Sequence, residues 1–143
     1  MILESVTDLP FNRHVGIRKA ATDEGLLELP AGAQFLNHIG TVHAGALLAL
    51  AEACSGEFLL KHIGGETDII PVVRRVEAKF RKPANGRITA TVTTSPVVVE
   101  DARRHLAARG RSLLTICVEL HDKSGKKFMS ADFEWFLARS TTT

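Results

Sequence analysis

The stretch Asn37 to Gly56, "NHIGTVHAGALLALAEACSG", gathers several side chains that could do chemistry into one apolar run. Asn37, His38 and His43 precede small and aliphatic residues, and a lone carboxylate, Glu52, stands among them. Burying an unpaired carboxylate is costly, so an acid in such a run is usually paired or functional. It could serve as a general base on water, or as a nucleophile towards an activated acyl carbon. The helix start offers unpaired N–H groups and partial positive charge, which suit a carbonyl oxygen that becomes negative during reaction. Ala44 and Gly45 lack the bulk that would keep a carbonyl from those amides. Along one helix, Ala44 and Glu52 are separated by roughly 12 Å of rise, too far to act on one reacting group. A site assembled from two chains about a two-fold axis unites them. The bland alternative for Glu52 is an ion pair with Arg74, which strand alternation places inward beside Val76 and Ala78.

The other candidates carry less. A histidine beside a helix start can simply cap it, and Asn37 alone is an ordinary loop residue. His38 and His43 have no third ligand nearby and no HExxH pattern occurs, so no metal site is read. His14, His62, His105 and His121 read as surface or packing residues.

These residues need elements to hold them. A long helix is expected over about Val42 to Ile63, apolar on all faces until Glu57, Lys61 and His62 and ended by Gly64 and Gly65. Before it, residues 3 to 13 read as a short helix or turn ended by Pro10. "HVGIRKAATDEGLLELP" then reads as a hairpin about Asp23, Glu24 and Gly25, followed by a loop from Pro30 to Thr41. From Val72 the period becomes two, with Val72, Val76, Ala78 and Phe80 on one strand face and Arg75, Glu77, Lys79 and Arg81 on the other. The alternation returns in "RITATVTT", "LLTICVELHD" and "FMSADFEWFLA", with "KPANG" and "DKSGK" as hairpin turns. "PVVVEDARRHLAARG" has Val98, Ala102 and Leu106 at helical spacing, a Glu100 to Arg104 pair and Gly110 as a stop, which predicts a surface crossover helix over 97–109. The expected class is α+β, a buried central helix wrapped by about five or six antiparallel strands.

Composition bounds the function. With 143 residues, 45% hydrophobic and 24% charged, the chain reads as one globular domain over 1–143. A net charge of +2, from 18 basic and 16 acidic residues, argues against a nucleic-acid partner. Cys54 and Cys117 lie in apolar segments and read as free buried thiols in a reducing compartment. "MILESVTDLP" lacks the basic region of a signal peptide, and Glu52 and Glu57 break the longest apolar run; the expectation is a cytoplasmic protein with no membrane partner.

"NHIGTVHAGALLALAE" resembles the helix-start signature of the hotdog-fold acyl-CoA thioesterases of the PaaI-like group. There an Asn is followed six residues later by His-Gly-Gly, and nine residues after that His by Asp or Glu. Asn37, His43 and Glu52 match this spacing. The extra helix over 97–109 makes the chain most similar to a thioesterase-like branch of the DUF4442 type. The resemblance implies that Glu52 of one subunit acts as base or nucleophile. The Ala44 amide of the facing subunit would hold the oxyanion, and Asn37, His43 and Gly45 would complete the helix-start half-site. It also implies a homodimer, extended to a homotetramer in many relatives, with coenzyme A as part of the substrate and no separate cofactor. Arg74, Arg75, Arg81 and Lys82 are the candidates for the CoA phosphates. Two departures stand out: Ala44 replaces the first glycine of His-Gly-Gly, and Val73 stands where several relatives place a hydroxyl beside the acid, a gap Ser55 could fill. Two other functions fit the spacing. A hotdog hydroxyacyl thioester dehydratase would use His38, fourteen residues before Glu52, although "IGT" follows His38 where those enzymes have a Phe-Pro-Gly link. A non-catalytic acyl-CoA-binding protein is the third reading.

Overall fold

The computed structural model describes residues 3–22, 25–63 and 66–140. Helix α1 (Pro10–Val15) follows a 3-10 turn at Val6–Asp8, and Pro10 opens this helix rather than ending the preceding one. Proline suits that position because its missing N–H would have no partner in a first turn anyway. β1 (Arg18–Lys19) and β2 (Leu27–Leu29) pair antiparallel as the hairpin pattern predicts; Asp23 and Glu24 of its turn lie outside the described residues.

The central helix α2 runs over Ala44–Ile63, and the two glycines read as its stop, Gly64 and Gly65, also lie outside the described residues. It packs against β2, β4 (Ile88–Val92), β5 (Arg111–His121) and β6 (Lys127–Arg139). Leu47, Leu50, Ala51, Cys54, Phe58 and Leu59 are buried in that contact. The six strands form one antiparallel sheet in the order β1-β2-β4-β5-β6-β3, with β3 (Ile69–Phe80) at the outer edge. Met129, Ala131, Phe133, Trp135 and Leu137 of β6 are all buried, the period-two face read from the sequence. "DKSGK" closes the β5–β6 hairpin, its Asp122 carboxylate accepting from the Ser124 and Lys126 amides. "KPANG" is not a hairpin turn: β3 and β4 are not neighbours, so this segment carries the chain from the edge to the sheet interior.

The β3 face pattern also needs correction. Val73 pairs with Trp135 and Val76 with Phe133, across a register shift between Val73 and Arg75. One extra residue reverses the parity of a strand. Val73 therefore shares the helix-side face with Val76, Ala78 and Phe80, while Val72 pairs with Phe136. Arg74, the extra residue, pairs with Glu134 at 3.7 Å instead of pointing inward to Glu52.

Helix α3 (Val97–Arg109) has the predicted extent, buries Val99, Ala102 and Leu106, and stops at Gly110, whose φ of 77° is one a glycine adopts without strain. It joins β4 to β5, which are antiparallel neighbours, so it is a long connection and not a crossover. Its ion pairs within the helix are Arg103 with Glu100 and Arg104 with Asp101, in place of the predicted Glu100–Arg104 pair, and Arg103 also meets Glu66 at 3.0 Å.

Candidate functional site

The two halves of the sequence motif fall in two cavities. The first, about 280 Å³, is lined by Asn37, Ile39, Thr41, Ala44, Arg81 and Lys82 among others. Its wall is a loop tied by backbone bonds from Val42 to Ala84 and from His43 to Phe35, of 2.8 and 2.7 Å. Asn37 organises that loop: Oδ1 accepts from the Ile39 and Thr41 amides, and Nδ2 donates to Thr41 Oγ1. A side chain committed to three such bonds fixes the approach to the helix start.

At the helix start, Nδ1 of His43 accepts from the Gly45 amide at 2.8 Å, which is the capping role. A side chain at Gly45 would bring its first carbon within 3.1 Å of the His43 ring, so the glycine makes room for the histidine. With the Gly45 amide occupied, the Ala44 N–H is left without an acceptor among the described residues, on an exposed helix end. An unpaired N–H at a helix N-terminus is a fixed dipole aimed at incoming negative charge.

The second cavity, about 450 Å³, holds Glu52. Leu59, Leu60, Ile63, Val73, Trp135 and the amino-terminal residues Leu3, Val6 and Leu9 make most of its wall apolar. The Glu52 carboxylate has no hydrogen-bond or ion-pair partner among the described residues, and burial raises it above the ordinary carboxylate range. That combination suits a general base in an apolar cleft.

Two expectations about this cleft are corrected. Ser55 does not present its hydroxyl to the acid: it is fully buried, donates to the Glu52 backbone carbonyl at 2.7 Å and accepts from Trp135 Nε1 at 3.1 Å. Glu57 does not begin the polar face of the helix. It is 4% exposed and accepts from Ser5 Oγ at 2.8 Å and from the Val6 amide at 3.0 Å, which fastens the amino-terminal segment over the Glu52 cleft. Sequence reading missed this because nothing local links Ser5 to a residue so distant in the chain. Cys54, next to these groups, is inert: burial and then the nearby Glu57 push its thiol up to about 12.

The proposed phosphate contacts separate. Arg81 and Lys82 line the helix-start cavity. Arg75 lies in a small depression with Glu77, Asp132 and Glu134, where acids surround it, and Arg74 lines a third cleft on β3. His38 is exposed and lines neither of the two motif cavities. Among the described residues no group of three or more His, Cys, Asp or Glu could hold a metal ion, and no helix is long and apolar enough to cross a membrane.

The family model described as "Domain of unknown function (DUF4442)" matches residues 7–137. The chain belongs to the DUF4442 family. Within this DUF4442 protein the solved structures define the fold. A Pseudomonas aeruginosa protein named as a probable thioesterase is 26% identical, with a TM-score of 0.76 over 94% of this chain and 91% of that one. A thioesterase from Haemophilus influenzae is 17% identical, with a TM-score of 0.69 over 96% and 88% of the two chains. A Chlorobaculum tepidum protein of unknown function is 19% identical, with a TM-score of 0.77 over 93% and 88%. No curated protein matches the chain in sequence. The DUF4442 chain is thus a thioesterase-like hotdog protein, its long helix wrapped by a six-stranded antiparallel sheet.

Proposed function

We propose that this protein hydrolyses an acyl-CoA thioester, with Glu52 of one chain and the helix start of a second chain acting on the same carbonyl. The observation that carries the reading is the placement of Glu52 and Ala44 in different cavities of one chain, beside the outer edge of β3, which pairs with no further strand among the described residues. Val76, Ala78 and Phe80 are exposed although they share the face on which α2 lies, and Leu48 of α2 is exposed as well. Pairing two β3 strands antiparallel continues the sheet, covers those side chains, and sets the start of one α2 opposite the middle of the other.

In that arrangement Glu52 takes a proton from water, and the resulting hydroxide adds to the thioester carbon. The carbonyl oxygen becomes an oxyanion held by the partner subunit's Ala44 amide. Collapse breaks the C–S bond, and the proton held by Glu52 passes to the leaving sulfur. A carboxylate suffices because a thioester is already an activated acyl donor. Asn37 and His43 shape and cap the helix start, while Arg81 and Lys82, beside it, face the CoA phosphates.

The test is a panel of acyl-CoA thioesters of graded chain length, with release of free thiol followed for the wild type and for Glu52→Gln. Turnover of one class by the wild type and its loss in the variant are expected. Acyl-CoA binding without thiol release from any member of the panel would overturn the reading in favour of a non-catalytic acyl-CoA-binding protein.

A further inference from the structure

Gly56 stands in the middle of α2, one turn beyond Glu52, and lines the same cavity. Glycine inside a helix is less favourable than alanine, and here no crowding demands it. A first side-chain carbon at Gly56 would meet Val6 Cγ1 at 3.5 Å and the Trp135 ring at 3.6 Å, which are ordinary contact distances. The missing side chain therefore leaves space in the cavity wall next to the acid. Leu59, Leu60 and Ile63 continue the same helix face, so the cavity follows α2 from Glu52 towards its carboxyl end.

The shape and polarity of this space restrict what it can hold. From Glu52 to Ile63 the helix rises roughly 16 Å, and a volume of about 450 Å³ drawn out over that length is long and narrow. Its sides are hydrocarbon: Val6 and Leu9 of the amino-terminal segment, the α2 side chains, and Trp135, whose indole N–H is already given to Ser55. The other ionisable residue in the lining, Glu66, lies past the end of α2 and is held by Arg103 at 3.0 Å and Arg139 at 3.7 Å. Among the described residues, no lining side chain between the two carboxylates offers a free donor or acceptor. A hydroxyl or carboxyl group lodged there would lose its water and gain no partner.

We infer that the acyl group of the substrate lies along α2 under the amino-terminal segment, running from Glu52 past Gly56 to Ile63. The substrate class is unbranched aliphatic acyl thioesters of about a dozen carbons, the number an extended chain needs to span that helix rise. Gly56, Leu60 and Ile63, spaced about one turn apart, are its length gauge. The inference rests on the thioesterase reading for the carbonyl at Glu52, and adds to it the direction, length and polarity of the acyl group.

The experiment measures kcat/KM over straight-chain acyl-CoAs from butyryl-CoA to palmitoyl-CoA and, in parallel, the affinity for S-butyl, S-octyl and S-dodecyl thioethers of CoA, which bind without being cleaved. Wild type is expected to gain about three-fold per added methylene up to roughly a dozen carbons and then to level off. The ω-hydroxylated dodecanoyl thioester should react about a hundred-fold less well than the plain one. Gly56→Leu fills the cavity beside the acid and should leave only the shortest chains, whereas Leu60→Phe should reject only the longer ones. Gly56→Ala guards against a folding failure: it should be more stable to denaturant than wild type and yet lose part of the advantage of the longest chains, opposite movements that a merely structural glycine would not give. A wild-type profile flat in chain length, a preference for benzoyl-CoA, or a profile left unchanged in folded Gly56→Leu and Leu60→Phe overturns the inference even where hydrolysis is observed. If no acyl-CoA is cleaved, thioether affinity that climbs with chain length in wild type and not in Gly56→Leu keeps the acyl cavity and removes the hydrolysis; affinity indifferent to chain length removes both.

Discussion

Trp135 donates its indole N–H to Ser55 Oγ at 3.1 Å, joining the floor of the sheet to the central helix three residues beyond Glu52. Ser55 in turn donates to the Glu52 carbonyl, so one hydrogen-bonded pair fixes where the acid sits on its helix. Both groups are buried, and the bond is the partner each needs. The hydroxyl is thereby withdrawn from the chemistry: it holds the backbone of Glu52 and leaves the carboxylate alone in an apolar cleft.

That isolation sets a pH signature. Since burial raises the Glu52 carboxyl, the base form appears only as pH climbs above the ordinary carboxylate range, and kcat/KM should rise through that raised pKa. Stability runs the opposite way. The folded protein holds this proton more tightly than the unfolded chain, so the stability cost of ionised Glu52 is absent below the unfolded pKa and complete above the folded one. Glu52→Gln should remove turnover by roughly 10²–10⁴-fold, and be more stable than wild type at neutral pH but not in acid. Paired pH–rate and denaturant curves check both; equal stability at every pH would contradict the buried-acid account.

A hydroxyl returned to the cleft should help. Val73 lines the Glu52 cavity opposite Trp135, where it offers no donor or acceptor. Val73→Thr keeps the shape and adds an oxygen that can orient water or the carbonyl, and is expected to raise kcat on the best acyl-CoA of the panel several-fold. An unchanged or lower kcat in a folded variant would show that the acid works without such a partner.

Glu57 should matter to the fold and not to the chemistry. Glu57→Ala leaves the Ser5 hydroxyl and the Val6 amide without an acceptor, at a cost of about 2–4 kcal/mol for charge-assisted bonds lost in a buried place. Amide exchange of residues 5–9 is expected to accelerate more than that of β5. Uniform acceleration across the sheet would mean that Glu57 supports the whole core instead of the segment over the cleft.

Edge strand β3 carries the assembly prediction. A charge at Val76, 42% exposed on the helix side of the unpaired edge, should block strand pairing while leaving the monomer core alone. Val76→Lys is expected to sediment as a monomer and to lose activity together with assembly. A monomeric wild type with full turnover would contradict the two-chain site.

Glu28 supplies a second titration, of opposite sign. It is 2% exposed, and although burial pushes its carboxyl up, the Ala21 amide at 2.9 Å and the Arg18 guanidinium at 2.7 Å pull it below the ordinary range. A depressed carboxylate contributes stability that is complete above the unfolded pKa and is lost as pH falls through the folded one. Glu28→Gln should therefore flatten the acid limb of the stability profile, measured by thermal melts between neutral pH and strong acid.

The sequence by itself determined the elements that depend on local pattern. Period-two faces in β5 and β6, the all-apolar run of α2 and the Gly110 stop of α3 follow from spacing and backbone preference, and each stands where its pattern puts it. Helix rise alone also separated Ala44 from Glu52. What only the tertiary structure decided depends on partners far along the chain. The β3 bulge is invisible in its own alternation because a register is a property of two strands, and it moved Val73 in and Arg74 out. Glu57 reads as surface by its neighbours in sequence and is buried by its neighbours in space, Ser5 and Val6. The hydrogen bonds that commit His43 to capping and Asn37 to the loop appear only once the chain has closed around them.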